Sequence, residues 1–257
     1  MVEYMKRTDR LGEENYNSQN SLMKIIEYQD SMHIVVEFQD EYNAKVNTTY
    51  GRFRNGTVKN PHCTFVHGVG FIGNSKSRSE SERKPAYEYW HHMLGRCYSE
   101  DVLEKHPSYQ GCFVCDAWLN FETFEKWYDE NFYQIGSEKM ALDKDILIKG
   151  NKEYGPNTCV FVPQRINSLL VINGRSKIGL PIGVNECRYK NSISYNARCR
   201  INGDKYYLGQ YKTPEEAFAA YKTFKEQRIK QVANEYRDKI PQKLYDAMYR
   251  WEVEITD

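Results

Sequence analysis

Three side chains near the middle of the chain could hold a divalent metal ion. Asp143 and Asp145 are two residues apart in the segment from Met140 to Ile148, whose alternating apolar residues predict a β-strand. Side chains two apart on a strand project from the same face, so both carboxylates could bind one hard cation. Asn167, early on the helix predicted after Pro163, could add a third oxygen. The expected cation is magnesium or manganese.

A second group of side chains, in the last third of the chain, suits contact with nucleic acid. Alternation puts Arg198 and Arg200 on one face of a predicted strand, and Lys205 and Tyr207 on the same face of the next strand. Arginine can donate two hydrogen bonds to guanine in the major groove, whereas lysine holds phosphates. The exposed face of this sheet is therefore expected to bind double-stranded DNA.

The elements that position these basic residues have clear sequence signals. Runs rich in β-branched and aromatic residues predict three short strands at 182–189, 193–201 and 205–211. A helix is predicted to follow, because Thr213 is a good N-cap and Glu216 completes a capping box. The apolar face of the sheet is expected to pack on this helix.

The net charge of +1, from 36 basic and 35 acidic residues, hides a segregation of charge along the chain. Residues 51–85 carry seven basic and two acidic residues, and residues 177–212 carry the same numbers. Residues 86–135 carry three basic and nine acidic residues. A nearly neutral protein can thus still present basic surfaces to a polyanion.

The N-terminal part is predicted to be a small β module, and the part after it is predicted to be helical. Runs at 22–28 and 32–38, with a third near 44–50, have the composition of strands separated by polar turns. This module could be structural or could dock on DNA, and the sequence favours neither. Apolar stripes at helical spacing predict two helices, one beginning at Pro85 and one containing Phe121, Phe124 and Tyr128.

The C-terminal segment resembles the DNA-binding domain of plant ethylene-response factors, the Apetala type, which also occurs in phage homing endonucleases. The resemblance covers about residues 181–230 and is carried by the motifs IGV, YNARCR, YYLGQY, TPEEA and AAY. In that family the sheet reads the major groove. The resemblance therefore implies DNA contacts by Arg188, Arg198, Arg200, Lys205 and Tyr207.

The region 85–172 resembles the phage HNH, or His-Me finger, endonucleases through RCY at 96–98, Trp118, LDKD at 142–145 and Asn167. The predicted order of strand, loop, strand and helix is also that of this family. The resemblance implies metal-dependent cleavage of DNA, with Asp143, Asp145 and Asn167 as catalytic and metal-binding residues.

The sequence departs from the HNH pattern at the general base. Lys144 stands where the family has its catalytic histidine, and alternation predicts that it points away from the two carboxylates. Two routes to cleavage stay open: Asp145 polarises water through the metal, or His91, His92 or His106 approaches from elsewhere in the fold. The alternative is a degenerate DNA-binding protein that regulates or inhibits another DNA-handling machine through a protein partner.

Other features narrow the class of protein. Cys112 and Cys115 form only one half of a zinc knuckle, so structural zinc is not expected. No stretch reaches the about 20 apolar residues of a membrane span, and the N-terminus lacks the apolar core of a secretory signal. We therefore expect no membrane contact and a cytoplasmic location, in a bacterial host cell if the origin is a phage.

The sequence predicts an α+β protein in three parts. The first, at 1–74, is the β module, and the second, at 85–172, is a helical unit with a ββα metal-site layout. The third, at 177–257, is a three-stranded antiparallel sheet packed on a helix, with an extra C-terminal helix. The predicted function is sequence-preferring DNA binding with metal-dependent cleavage, and the alternative is binding without cleavage.

Overall fold

The protein is described by a computed structural model that covers residues 10–73, 85–170, 179–189, 192–201 and 203–255. The chain forms two compact units, residues 1–128 and 129–257. Both helices and antiparallel sheets are present, so the α+β class is confirmed.

The first unit begins with a four-stranded antiparallel meander of order β1-β2-β3-β4. Its strands are β1 (Glu14–Tyr16), β2 (Leu22–Asp30), β3 (His33–Phe38) and β4 (Lys45–Thr48). The core is built by alternate inward residues of β2 and β3, such as Met23, Ile25 and Val36, which are almost completely buried. The predicted β module is confirmed, and the short helix α1 (Tyr50–Arg54) follows it.

The rest of the first unit is helical. Its elements are α2 (Pro85–Tyr98), α3 (Glu100–Lys105), β5 (Phe113–Val114), α4 (Asp116–Leu119) and α5 (Phe121–Asn131), the last of which runs past the unit boundary. Trp90 of α2 is fully buried, and its indole N–H donates to the carbonyl oxygen of Trp118 at 2.6 Å. Phe121 and Phe124 are also fully buried. The aromatic stripes read from the sequence are therefore core residues, as predicted.

The second unit opens with a β-hairpin followed by a helix. Its elements are β6 (Met140–Asp143), β7 (Glu153–Tyr154), β8 (Val160–Pro163) and α6 (Gln164–Leu170). Strand β6 pairs with β8 in antiparallel register, and α6 packs against both strands. The predicted order of strand, loop, strand and helix is present, but β6 ends at Asp143 and does not extend to Ile148 as predicted.

A three-stranded antiparallel sheet and two helices complete the second unit. The elements are β9 (Val184–Tyr189), β10 (Ser192–Ile201), β11 (Asp204–Tyr211), α7 (Pro214–Glu235) and α8 (Gln242–Tyr249), with β10 in the centre of the sheet. Helix α7 packs across all three strands, and α8 packs on α7. The capping box of Thr213 and Glu216 is formed as predicted. Residues 190 and 191, between the first two predicted strands, lie outside the described residues.

One hydrophobic core joins the hairpin to the C-terminal sheet and helices. Val160, Val162 and Ile166 belong to the same buried cluster as Ala197 and Ile229. The predicted second and third parts, 85–172 and 177–257, thus share this core. The boundary between the two compact units, at residues 128 and 129, falls inside the predicted second part. The three-part division stays a prediction of the sequence. Among the described residues, no helix has both the length and the apolar character to cross a membrane.

Candidate nucleic-acid interface and candidate metal site

The outward face of the C-terminal sheet brings together four residues predicted to contact DNA. Arg198 lies opposite Tyr207, and Arg200 lies opposite Lys205, in the register of β10 and β11. Directly opposed residues of antiparallel strands share a face, with Cβ atoms about 4.5–5.5 Å apart. All four side chains are exposed. The predicted shared face is therefore present, as two adjacent pairs.

The opposite face of β10 holds this surface in place. Ala197, Cys199 and Ile201 are buried in the core under α7, so strict alternation forces Arg198 and Arg200 outward. Gly183, just before β9, allows close packing: a Cβ atom there would lie 2.2 Å from the ring of Tyr221, and its φ is +76°. The sheet is thus fixed against α7 by its apolar side, and the basic side faces solvent.

Arg188 does not share this face. It lies opposite Ile193, and it has the same orientation as Val184, four residues earlier in β9, which opposes the buried Ala197. The guanidinium of Arg188 also donates to the Glu186 carboxylate. The structure therefore separates Arg188 from the other four residues of the predicted set.

Sequence reasoning missed Gln210 as a member of the outward face. Alternation from Lys205 and Tyr207 places Gln210 on the inner face, but Gln210 lies opposite Asn196, whose orientation is that of Arg198. The register shifts between Ala197 and Arg198, so β11 has one extra residue at Leu208. Such a β-bulge turns the residues after it to the other face. The glycine that follows Leu208 was the sequence signal for it.

Asp143 of the candidate metal site is turned toward its own backbone. Its Oδ1 accepts hydrogen bonds from the amide of Asp145 at 2.7 Å and from the amide of Ile146 at 2.9 Å. Burial raises the pKa of the Asp143 carboxyl, while these two hydrogen bonds oppose the rise. Asp143 therefore ends β6 by capping the turn that follows.

Asp145 is held by Lys144. The ammonium of Lys144 donates to Oδ1 and Oδ2 of Asp145 at 2.7 and 2.8 Å and to the carbonyl oxygen of Asn151 at 2.7 Å. Lys144 is 4% exposed. The prediction that Lys144 points away from the carboxylates is wrong, because the strand ends at Asp143 and alternation no longer applies to the turn.

The loop between β6 and β8 is closed by its own hydrogen bonds. The side-chain amide of Asn151 donates to the carbonyl oxygens of Lys144 and Glu153, at 2.9 and 2.6 Å. The hydroxyl of Thr158 donates to the carbonyl oxygen of Glu153 at 2.9 Å. Lys144 is thus one part of a network that fixes the loop.

Asn167 is the third predicted ligand, and unlike the two aspartates it has a single side-chain oxygen, which accepts no hydrogen bond from the described residues. It lies on α6, and its Oδ1 is buried without a hydrogen-bond partner within the described residues. A buried amide oxygen without a donor is unfavourable by about 1–3 kcal/mol. Asn167 is therefore the predicted ligand whose single side-chain oxygen has no hydrogen bond within the described residues.

The histidines considered as a replacement base all lie in the first unit. His91 and His92 lie on α2, where His92 is exposed and His91 is half-buried, and His106 directly follows α3. The ring of His91 lies 4.7 Å from that of His67, measured between centroids.

The cysteines and acidic residues provide no further metal centre in the described part of the chain. All seven cysteines lie there, and none forms a disulfide. Across the same residues, no group of three or more histidine, cysteine, aspartate or glutamate side chains is placed to hold a metal ion.

Comparison with known proteins adds no family to these observations. No protein-family model matches the chain, and neither a curated protein nor a solved structure matches it. The likeness to Apetala-type domains and to HNH endonucleases therefore stays a prediction from the sequence motifs.

Proposed function

We propose that this protein binds double-stranded DNA with a sequence preference, through the outward face of the C-terminal sheet. The observation that carries the proposal is the pairing of Arg198 with Tyr207 and of Arg200 with Lys205 on one exposed face. A sheet of three strands is about 10 Å wide, from two spacings of about 4.8 Å, and the major groove is about 12 Å wide. The face therefore has the width and the charge to enter that groove.

The two arginines of this face are available to a ligand. Within the described residues, neither Arg198 nor Arg200 forms an ion pair, whereas Arg188 is bound to Glu186. A guanidinium that is not neutralised by the protein can donate two hydrogen bonds to guanine O6 and N7. Lys205, near the start of β11, suits a phosphate contact, which positions the protein but carries no sequence information.

The geometry of the candidate metal site favours binding without cleavage. In that case the protein would act as a regulator or inhibitor of another DNA-handling machine, through a protein partner. The candidate metal site does not fit magnesium or manganese, because the Lys144 ammonium contacts both oxygens of Asp145. Asp143 Oδ1 is likewise engaged by two backbone amides. A divalent cation would have to displace Lys144 and would lie beside its positive charge.

Metal-dependent DNA cleavage is the second candidate function. Two observations favour it: the order of strand, loop, strand and helix is that of the HNH layout, and the buried Oδ1 of Asn167 lacks a partner among the described residues. If cleavage occurs, the metal would supply stabilisation of the leaving oxygen, and Asp143, Asp145 and Asn167 would be the residues to test.

Binding and cleavage can be tested in one experiment with the full chain. The purified protein is incubated with linear and supercoiled DNA, without metal and with magnesium or manganese, and both retardation and strand breaks are recorded. We expect retarded complexes and no breaks in any metal. Breaks that are made by the wild type and abolished in Asp143→Asn would establish the second candidate instead.

Asp143→Asn is the appropriate variant, because its side-chain oxygen can still accept the two amide hydrogen bonds that cap the turn. Asp143→Ala would leave both amides without a partner and confuse lost cleavage with lost folding. Absence of retardation at low salt would overturn the proposed DNA binding itself.

A further inference from the structure

A row of three amide side chains crosses the sheet next to the basic pairs. Asn196, in the central strand, lies opposite Asn185 of β9 and opposite Gln210 of β11. Residues opposite each other in this way share a face, and Asn196 has the orientation of Arg198, two residues further along β10. The outward face therefore has a basic half and an amide half.

Gln210 belongs to this face because of the bulge in β11. Gln210 is three positions after Tyr207, whereas their partners Asn196 and Arg198 are two positions apart. Gly209 has a φ of +124°, a backbone conformation that favours glycine and that allows the bulge. The bulge thus directs a glutamine outward where regular alternation would bury it.

The Gln210 amide is exposed and oriented by a neighbour. Its Nε2 donates to the hydroxyl oxygen of Ser194 at 2.6 Å. An amide has two N–H donors and one carbonyl oxygen, so one N–H and Oε1 are left to face a ligand. This donor and acceptor pair matches N7 and the N6 amino group of adenine in the major groove. By contrast, Asn196 is 7% exposed, and its side-chain amide donates to Cys187 Sγ at 2.9 Å. Asn196 is therefore a buried neighbour of Gln210 and not itself a contact to DNA.

The register also fixes the spacing between the two halves. Two residues of a strand span about 6.6–6.8 Å, which is about two steps of the 3.4 Å rise of DNA. Resting on the proposed function, we infer that Gln210 reads adenine two base pairs beyond the pair that Arg198 reads. The preferred site then has guanine, guanine and adenine at alternate base pairs, in the order Arg200, Arg198 and Gln210.

The test is selection from a pool of random duplex DNA by the full-length protein, followed by sequencing. We expect the wild type to enrich the alternate pattern and to prefer adenine at its last position by about 5- to 150-fold over other bases. Gln210→Arg should change that position from adenine to guanine and leave the two guanine positions unchanged. Gln242→Arg, the same substitution at an exposed residue of α8, should leave the whole pattern unchanged.

A second variant tests the role of Ser194. Ser194→Ala removes the acceptor for the Gln210 amide, so the preference for adenine should fall while both guanine preferences persist. An enriched pattern without adenine at this spacing, or an identical pattern for the wild type and Gln210→Arg, would overturn the inference and leave DNA binding intact. If the wild type enriches no pattern, the proposed sequence preference fails, and the inference fails with it.

Discussion

Lys144→Met should destabilise the protein by about 1–4 kcal/mol. Methionine keeps an unbranched apolar stem in the space of Lys144, which is 4% exposed, so the variant removes chiefly the ammonium. The half-buried carbonyl oxygen of Asn151 then loses its donor, at about 1–3 kcal/mol. The lost ion pair adds only about 0–1 kcal/mol, because the Asp145 side chain is 46% exposed and regains water.

The assay is equilibrium unfolding in urea at neutral pH, with Asp145→Asn as the matched control. Asparagine still offers an oxygen to the Lys144 ammonium, so the control should cost about 0–1 kcal/mol. Wild-type stability in Lys144→Met would refute the view that Lys144 fixes the loop. Equal losses in both variants would show instead that the ion pair, and not the bond to Asn151, carries the effect.

Two further predictions concern positions outside the basic face. Gly183→Ala should lower the free energy of unfolding in urea by about 2–5 kcal/mol, because it combines a left-handed φ with a clash against Tyr221. The control Gly203→Ala has a left-handed φ but open space around it, so it should lower that free energy by only about 1–2 kcal/mol. Equal losses in the two variants would contradict the clash. Burial raises the pKa of the Asp143 carboxyl, so the folded protein binds the carboxyl proton more tightly than the unfolded chain does. The contribution of Asp143 to stability should therefore fall as pH rises from about 4, near the unfolded pKa, through the raised pKa. The difference between wild type and Asp143→Asn, measured by unfolding from pH 4 to pH 7, should therefore shift in favour of the variant as pH rises, and a constant difference would disprove the role of burial.

The C-terminal sheet could be predicted well because its signals are local. The turn residues, the alternation and the N-cap at Thr213 act within a few residues, and the observed strands end within about two residues of the predicted ends. Burial of Ala197, Cys199 and Ile201 against α7 then confirms which face of β10 is outward.

The geometry around Asp143, Lys144 and Asp145 could not be predicted from the sequence, because it depends on where strand β6 ends. Alternation placed Asp143 and Asp145 together and Lys144 apart, and it holds only while the strand continues. Asp143 instead accepts the following backbone amides, which competes with strand pairing and starts a turn. The position of Gln210 was missed for a related reason, since one extra residue in β11 reverses the alternation after it.

The affinity of Arg200→Ala for two duplexes tests the central proposal most directly. One duplex carries the sequence preferred by the wild type, and the other has the same composition in scrambled order. We predict that the variant loses about 1–3 kcal/mol on the preferred duplex and much less on the scrambled one, as the proposed contact of Arg200 with a base edge requires. Equal losses on both duplexes would make Arg200 a phosphate contact, and no loss on either would contradict DNA binding by this face of the sheet.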